Sequence, residues 1–220
     1  MELNRLLDHT LLHPGATEDD IERLCREARQ YHFCAVVVNP VFVSLVSKHL
    51  KGSGVKTCSV VGFPLGANRT ETKIFEARRA VEDGAEEIDV VANIGWLAAG
   101  RVSETTKELQ AIRQALPANV ILKVIIETPV LDPESWRDAV KAVVDSGADF
   151  VKTATGFFGP TPVGHVVRLA EFAGGRIKVK AAGGIKTADQ ARAMISAGAA
   201  RIGSSSSVAI MTDSRDIEQK

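Results

Sequence analysis

The sequence predicts an α/β fold, a single-domain (β/α)8 TIM barrel, and three observations carry that expectation. Eight short apolar, β-branched runs alternate with amphipathic, capped stretches from one end of the chain to the other. The runs are apolar on both faces, as in parallel strands covered by helices. A small residue, glycine and alanine precede three of them, at Asp83-Gly84-Ala85, Ser146-Gly147-Ala148 and Ala197-Gly198-Ala199. In each, glycine supplies the left-handed conformation that ends a helix and turns the chain into a buried strand.

Taken in order, the runs occupy residues 8–12, 34–39, 57–63, 87–93, 121–128, 149–155, 177–184 and 201–205. Helix starts separate them. Thr17 precedes Glu18, Asp19 and Asp20 and then an apolar stripe of Ile21, Leu24 and Ala28, an N-cap leading into a core-facing helix. Asn39-Pro40, Asp132-Pro133 and Thr161-Pro162 each place a capping side chain before a proline at the first helical position. Thr187 and Gln190 have the spacing of a capping box. A doubly wound open sheet is the competing fold, but Asn39-Pro40-Val41 stands where its glycine-rich dinucleotide turn belongs. With no Ser-rich or Pro-rich linker, residues 1–211 are expected to form one barrel domain and residues 212–220 a polar, mobile C-terminal tail.

Composition narrows the function. The 220 residues carry 27 Lys and Arg against 27 Asp and Glu, a net charge of zero. Nucleic acid and anionic membranes are held largely by surplus cationic charge, so neither is an expected partner. Cys25, Cys34 and Cys58 form neither a disulfide framework nor a zinc spacing. The start of the chain lacks a basic region followed by an apolar run, and no stretch approaches the roughly 18 apolar residues that span a bilayer. The expected location is the cytoplasm.

In a barrel the chemistry sits where strands run into their following loops. Asp8, Asp89, Lys123, Glu127, Lys152, Lys178 and Lys180 are the ionisable residues singled out near those ends. Lys152 stands in an apolar run, where an ammonium needs pairing or neutralisation. An ordinary pair with Asp89 or Glu127 would satisfy it structurally. The next strand, however, brings a second lysine to the same end. Period-two alternation puts Lys178 and Lys180 on one face, and depth favours Lys180, which is nearer the Gly183-Gly184 turn. Burial beside a second cation is a route to an amine that is neutral near pH 7 and nucleophilic toward carbonyls. The chemistry implied is imine formation, with the protonated imine as electron sink for carbon–carbon cleavage or formation. Asp89 serves equally well as a proton acceptor or as a structural partner for Lys123.

Three loops read as phosphate-type. Gly183-Gly184-Ile185-Lys186-Thr187 and Gly203-Ser204-Ser205-Ser206-Ser207 follow the seventh and eighth runs, offering free backbone N–H groups and hydroxyls, and Thr155-Gly156 lies beside them. Asp8 and Lys123, with Cys34 as a thiol at a strand start, are further candidate substrate contacts. His9 and His13 are four apart, but they fall in an expected strand and loop instead of on a helix, so no metal is expected. The two tryptophans and eight phenylalanines read as packing.

Five segments resemble the deoxyribose-phosphate aldolases, in that family's order: Leu-Asp-His-Thr-Leu-Leu at 7–12, Glu-Ile-Asp-Val-Val-Ala-Asn-Ile-Gly at 87–95, Leu-Lys-Val-Ile-Ile-Glu-Thr at 122–128, Phe-Val-Lys-Thr-Ala-Thr-Gly-Phe at 150–157 and Val-Lys-Ala-Ala-Gly-Gly-Ile at 179–185. The resemblance implies a class I aldolase without metal or cofactor, splitting 2-deoxy-D-ribose 5-phosphate reversibly into D-glyceraldehyde 3-phosphate and acetaldehyde. It implies that Lys152 forms the Schiff base, Lys180 lowers its pKa and Asp89 assists proton transfer. Gly156, Gly183, Gly184, Gly203, Ser205 and Ser206 would surround the phosphate. It also implies a homodimer or homotetramer acting on small sugar-phosphate and aldehyde substrates. Ala154 stands where the family usually has serine, and Phe157 where some members have a basic residue, which shifts phosphate binding toward backbone amides. Many members end in a tyrosine, whereas the only tyrosine here is Tyr31.

Overall fold

The computed structural model describes residues 2–218. Eight strands, β1 (Leu7–Leu11), β2 (Ala35–Val38), β3 (Lys56–Val61), β4 (Glu87–Val91), β5 (Ile121–Ile125), β6 (Phe150–Lys152), β7 (Lys178–Ala182) and β8 (Ala199–Ser204), close in sequence order into one parallel barrel. The surrounding helices are α1 (Glu18–Tyr31), α2 (Val43–Leu50), α3 (Thr70–Glu82), α4 (Ile94–Ala98), α5 (Val102–Gln114), α6 (Trp136–Asp145), α7 (Val163–Ala173), α8 (Ala188–Ser196) and α9 (Ser207–Glu218). This is the (β/α)8 architecture that the alternation of runs predicts. Among the described residues, no helix is long and apolar enough to cross a membrane.

The local chemistry explains the helix starts. Thr17 accepts the Asp20 amide while the Asp20 carboxylate accepts the Thr17 amide, and Thr187 and Gln190 form the same reciprocal cap at α8. Gly84, Gly147 and Gly198 all have positive φ, as their repeat predicts. Thr161-Pro162 departs from expectation. Pro162 flanks α7 instead of opening it, and the Thr161 hydroxyl donates to the Ala182 carbonyl at 2.6 Å. That side chain ties the β6 loop to the top of β7. Asn39 likewise makes no side-chain cap, and Pro40 opens a short 3-10 turn. Residues 212–218 of the segment expected as a mobile tail have helical backbone as part of α9, and residues 219–220 lie outside the described residues.

Two layers of core hold the barrel. The outer one packs helices onto strands through residues such as Ile21, Val36, Ile88, Leu109, Leu122, Val140, Leu169 and Ile202. Burying each such side chain contributes about 1.5–3 kcal/mol. The inner apolar cluster is small, with Ala35, Val37, Cys58 and Val60 at its centre, all from β2 and β3. From β1 and from β4 to β8 the barrel interior is filled instead by buried charges: Asp8, Glu87, Asp89, Lys123, Lys152, Lys180 and Arg201. Such groups are expensive to desolvate, so the apolar outer layer must support them.

Candidate active site

Strand pairing places the two lysines singled out by sequence side by side. Lys152 of β6 is in register with Lys180 of β7, and Asp89 of β4 with Lys123 of β5. Asp89 is the hub. Its Oδ2 accepts from Lys152 Nζ at 2.7 Å and from Lys180 Nζ at 2.6 Å, while Oδ1 accepts from Lys123 Nζ at 2.8 Å. Lys180 also pairs with Asp8 at 2.6 Å, Lys123 with Glu87 at 2.6 Å, and Arg201 with both Asp8 and Glu87. Lys178 is exposed at the opposite rim, its ammonium over the Phe150 ring at 5.6 Å, so depth does distinguish it from Lys180.

A cavity of about 800 Å³ opens at the C-terminal ends of β1 and β6 to β8. Of the network, Lys152 alone lines it, at 3% exposure against 0% for Lys180, Lys123 and Asp89. Thr155, Gly156, Gly183, Gly184, Gly203 and Ser205 line it too, as do Thr10 to His13, Phe157, Lys186, Gln190 and Ser204. One wall carries Phe157, which meets Phe63 edge to face at 5.3 Å and is half-exposed. Phe157 therefore shapes the cavity wall, and Phe63 supports it from behind.

Four candidate contacts lie elsewhere. Asp8 and Lys123 are fully buried beneath the cavity, their charges engaged by Lys180, Arg201, Glu87 and Asp89. Cys34 immediately precedes β2, bonded through its amide to the Leu7 carbonyl, at the N-terminal end of the barrel and remote from the cavity. Ser206 is not among the lining residues, and its amide is taken by the Ser204 hydroxyl at 2.9 Å. His9 points outward to Glu27 at 2.7 Å while His13 lines the cavity, so the two do not converge. Among the described residues, no group of three or more His, Cys, Asp or Glu is placed to hold a metal ion.

The electrostatics separate the lysines. Burial pushes the Lys152 amine below the ordinary lysine value, the charge of Lys180 adds to that, and Asp89 opposes it. Burial is thus the larger cause, with the crowding by Lys180 secondary. Lys180 goes the other way, because Asp8 and Asp89 together outweigh its burial. Burial opposes the ionisation of Asp89, yet Lys123, Lys152 and Lys180 hold it well below the usual carboxylate range. The site therefore presents to the cavity an amine lowered below the ordinary lysine value, backed by an ammonium and an ionised carboxylate.

Asp8 gives an acid-stability prediction. Burial opposes its ionisation, but Lys180, Arg201 and Lys123 lower its pKa from 3.8 to about 2. The folded value lies below the unfolded one, so the stabilisation is complete above about pH 4 and is lost as pH falls through 2. Urea unfolding should show stability decreasing by at least on the order of 2 kcal/mol between pH 5 and pH 2. A flat profile over that interval would contradict the assignment.

Glu127, considered from sequence only as a partner for Lys152, has a different task. It is a non-glycine residue at φ 53, buried, with its carboxylate accepting the Thr155 amide at 3.1 Å. A left-handed conformation at a strand end is strain that surrounding contacts must hold. Here it anchors the β6 loop on the cavity. Glu127→Ala leaves that amide unpaired, a loss of about 1–3 kcal/mol, and should raise KM roughly tenfold, whereas Glu127→Gln, which still accepts, should restore it. Equal KM values in steady-state assays of both variants would refute the anchor.

Arg201, Glu87, Lys186 and Gln190 were not among the candidate site residues. Period-two alternation could have found the first two, since Arg201 precedes Gly203 and Glu87 precedes Asp89 by one pleat each. Lys186 was visible inside a phosphate-type loop, and Gln190 only as the cap that accepts the Lys186 amide at 2.8 Å.

Residues 4–211 match the family described as DeoC/LacD family aldolase. The deoxyribose-phosphate aldolase of Clostridium novyi is 48% identical over 212 residues, 96% of this chain and 96% of that protein. Among solved structures, an aldolase designated QR15 superposes with a TM-score of 0.94 at 39% identity, over 100% of this chain and 98% of the other. A deoxyribose phosphate aldolase from Aeropyrum pernix, described as having a unique tetrameric structure, superposes with a TM-score of 0.91 at 37% identity over 98% of this chain and 92% of the other. With a buried lysine opening into the mouth of a closed eight-stranded barrel and these matches along nearly its whole length, this chain belongs to the DeoC/LacD family of aldolases.

Proposed function

We propose that the protein reversibly cleaves 2-deoxy-D-ribose 5-phosphate to D-glyceraldehyde 3-phosphate and acetaldehyde through a Schiff base on Lys152. The observation that carries this reading is the solitary opening of the charge network into the cavity at Lys152. The substrate class comes from the Clostridium novyi relative, whose name states it.

Lys152 Nζ attacks the C1 aldehyde of the open-chain sugar, and the carbinolamine loses water to give a protonated imine. Loss of the C3 hydroxyl proton then breaks the C2–C3 bond, with the electron pair moving toward the imine nitrogen to form an enamine. D-glyceraldehyde 3-phosphate leaves, C2 is protonated, and hydrolysis frees acetaldehyde and the amine. Asp89, bonded to Lys152, relays protons, and Lys180 keeps that carboxylate ionised while disfavouring a second ammonium beside it. The phosphate rests on the loops of Thr155-Gly156, Gly183-Gly184 and Gly203 to Ser205, with Lys186 as a cationic side chain at the same end.

Location in a reducing cytoplasm fits the three free cysteines. Assembly as a homodimer or homotetramer fits the tetrameric Aeropyrum pernix relative. Incubation with deoxyribose 5-phosphate tests the reading. Acetaldehyde should be released in the presence of a chelator. Binding of the sugar phosphate without acetaldehyde would make the chain a binder instead, and loss of activity on chelation would reinstate a metal-dependent mechanism.

A further inference from the structure

Arg201 is a member of the charge network that has no part in the chemistry above. Arg201 reaches from β8 into the barrel beneath Gly203 and is buried. Its guanidinium bonds Asp8 through Nε at 2.9 Å and Glu87 through Nη2 at 3.0 Å. Asp8 is also a partner of Lys180, and Glu87 of Lys123. Six strands thus contribute three carboxylates, Asp8, Glu87 and Asp89, to four basic groups, Lys123, Lys152, Lys180 and Arg201. One basic group exceeds the available negative charge.

The contacts show where that excess falls. Lys123, Lys180 and Arg201 each touch two carboxylates. Lys152 touches one, Asp89, and shares it with two other lysines. A guanidinium does not deprotonate in proteins, so Arg201 cannot yield its share. We infer that Arg201 is a positioning residue for the reaction: by engaging Asp8 and Glu87 at the closed end of the barrel it leaves Lys152 the uncompensated member, and so holds the cavity amine in its neutral form. The inference rests on reading Lys152 as the nucleophile.

Among the described residues, no other titratable group forms an ion pair with this network. Cys58 of β3 faces Asp89 and Lys123, and burial keeps it a thiol. Glu127 lies beyond β5, where its charge is felt by Lys152, but its carboxylate is bonded to the Thr155 amide and stands outside the ion pairs. Near Arg201 stands Cys34, whose thiol is likewise kept protonated by burial.

The pH dependence of kcat/KM, together with borohydride trapping of acetaldehyde on Lys152, tests the inference in Arg201→Gln, Arg201→Lys and Glu87→Gln. Removing the positive charge in Arg201→Gln should move the acid limb up by about one pH unit, a roughly tenfold loss on that limb. Arg201→Lys retains the charge and should largely restore the limb. Glu87→Gln removes a negative charge and should move the limb down. Opposite shifts identify a charge effect, because a barrel merely loosened to water relieves burial and moves the limb up in either variant. An unshifted limb in Arg201→Gln overturns the inference. If that variant does not fold, a limb at or above the wild-type position in Glu87→Gln overturns it. Absence of any adduct on Lys152 in the wild-type protein would instead refute the nucleophile assignment.

Discussion

Lys152→Ala is expected to lower kcat by at least about ten-thousand-fold and to abolish trapping of acetaldehyde by borohydride. The amine is the bond-forming atom of the proposed cycle, and no neighbour can replace it. Lys180 is fully buried below and is held by Asp8 and Asp89 in its cationic form. Lys186 lines the cavity but lies on the loop between β7 and α8, outside the network that lowers an amine pKa. The fold should persist, because deleting Lys152 relieves the one uncompensated basic group. Circular dichroism and a thermal melt check that expectation, and turnover near the wild-type rate would end the assignment of Lys152.

Lys180→Leu is the second large effect, and it arises differently. Without that ammonium, the three carboxylates face only Lys123, Lys152 and Arg201. Lys152 then becomes a needed counter-ion and retains its proton at neutral pH. The expected result is a loss of kcat/KM at pH 7 of roughly a hundredfold to a thousandfold, with the acid limb displaced upward by about two to three units. Breaking a buried pair also lowers stability by about 3–5 kcal/mol, which a urea melt would register. A variant of reduced stability whose pH profile matches the wild-type one would show that Lys180 is structural only.

The barrel was legible because its signals are local. Glycine at helix ends, capping side chains and apolar runs each act within a few residues, and every observed strand begins within two residues of an expected run. The runs over-read the strand ends at 121–128, 149–155 and 177–184, where the chain leaves the ladder to build the site: Glu127 turns left-handed, and Gly183 and Gly184 take positive φ. Lys152, Lys180 and Asp89 were legible as charged residues within buried strands. Their common hydrogen bonding depends on barrel closure, which brings β4 across to β6 and β7, and no spacing along the chain encodes that.

The candidate contacts off the cavity share a cause. Cys34, Asp8 and Lys123 differ from the lining residues in how deep along the barrel axis each one sits, which spacing along the chain does not say. Strand register answers that, placing Asp8 beside Ala35 and Gly203, and Lys123 beside Asp89 and Phe150. Arg201 and Glu87 open their expected runs, a position that usually reads as a solvent-facing rim. In this barrel they are buried beneath Lys152.

Mass spectrometry of the protein treated with acetaldehyde and borohydride across a range of pH tests the central assignment most directly. The account predicts an ethyl group on Nζ of Lys152, with half-maximal labelling well below the ordinary lysine pKa. Label confined to surface lysines, or label on Lys152 only as pH approaches that ordinary value, would contradict it.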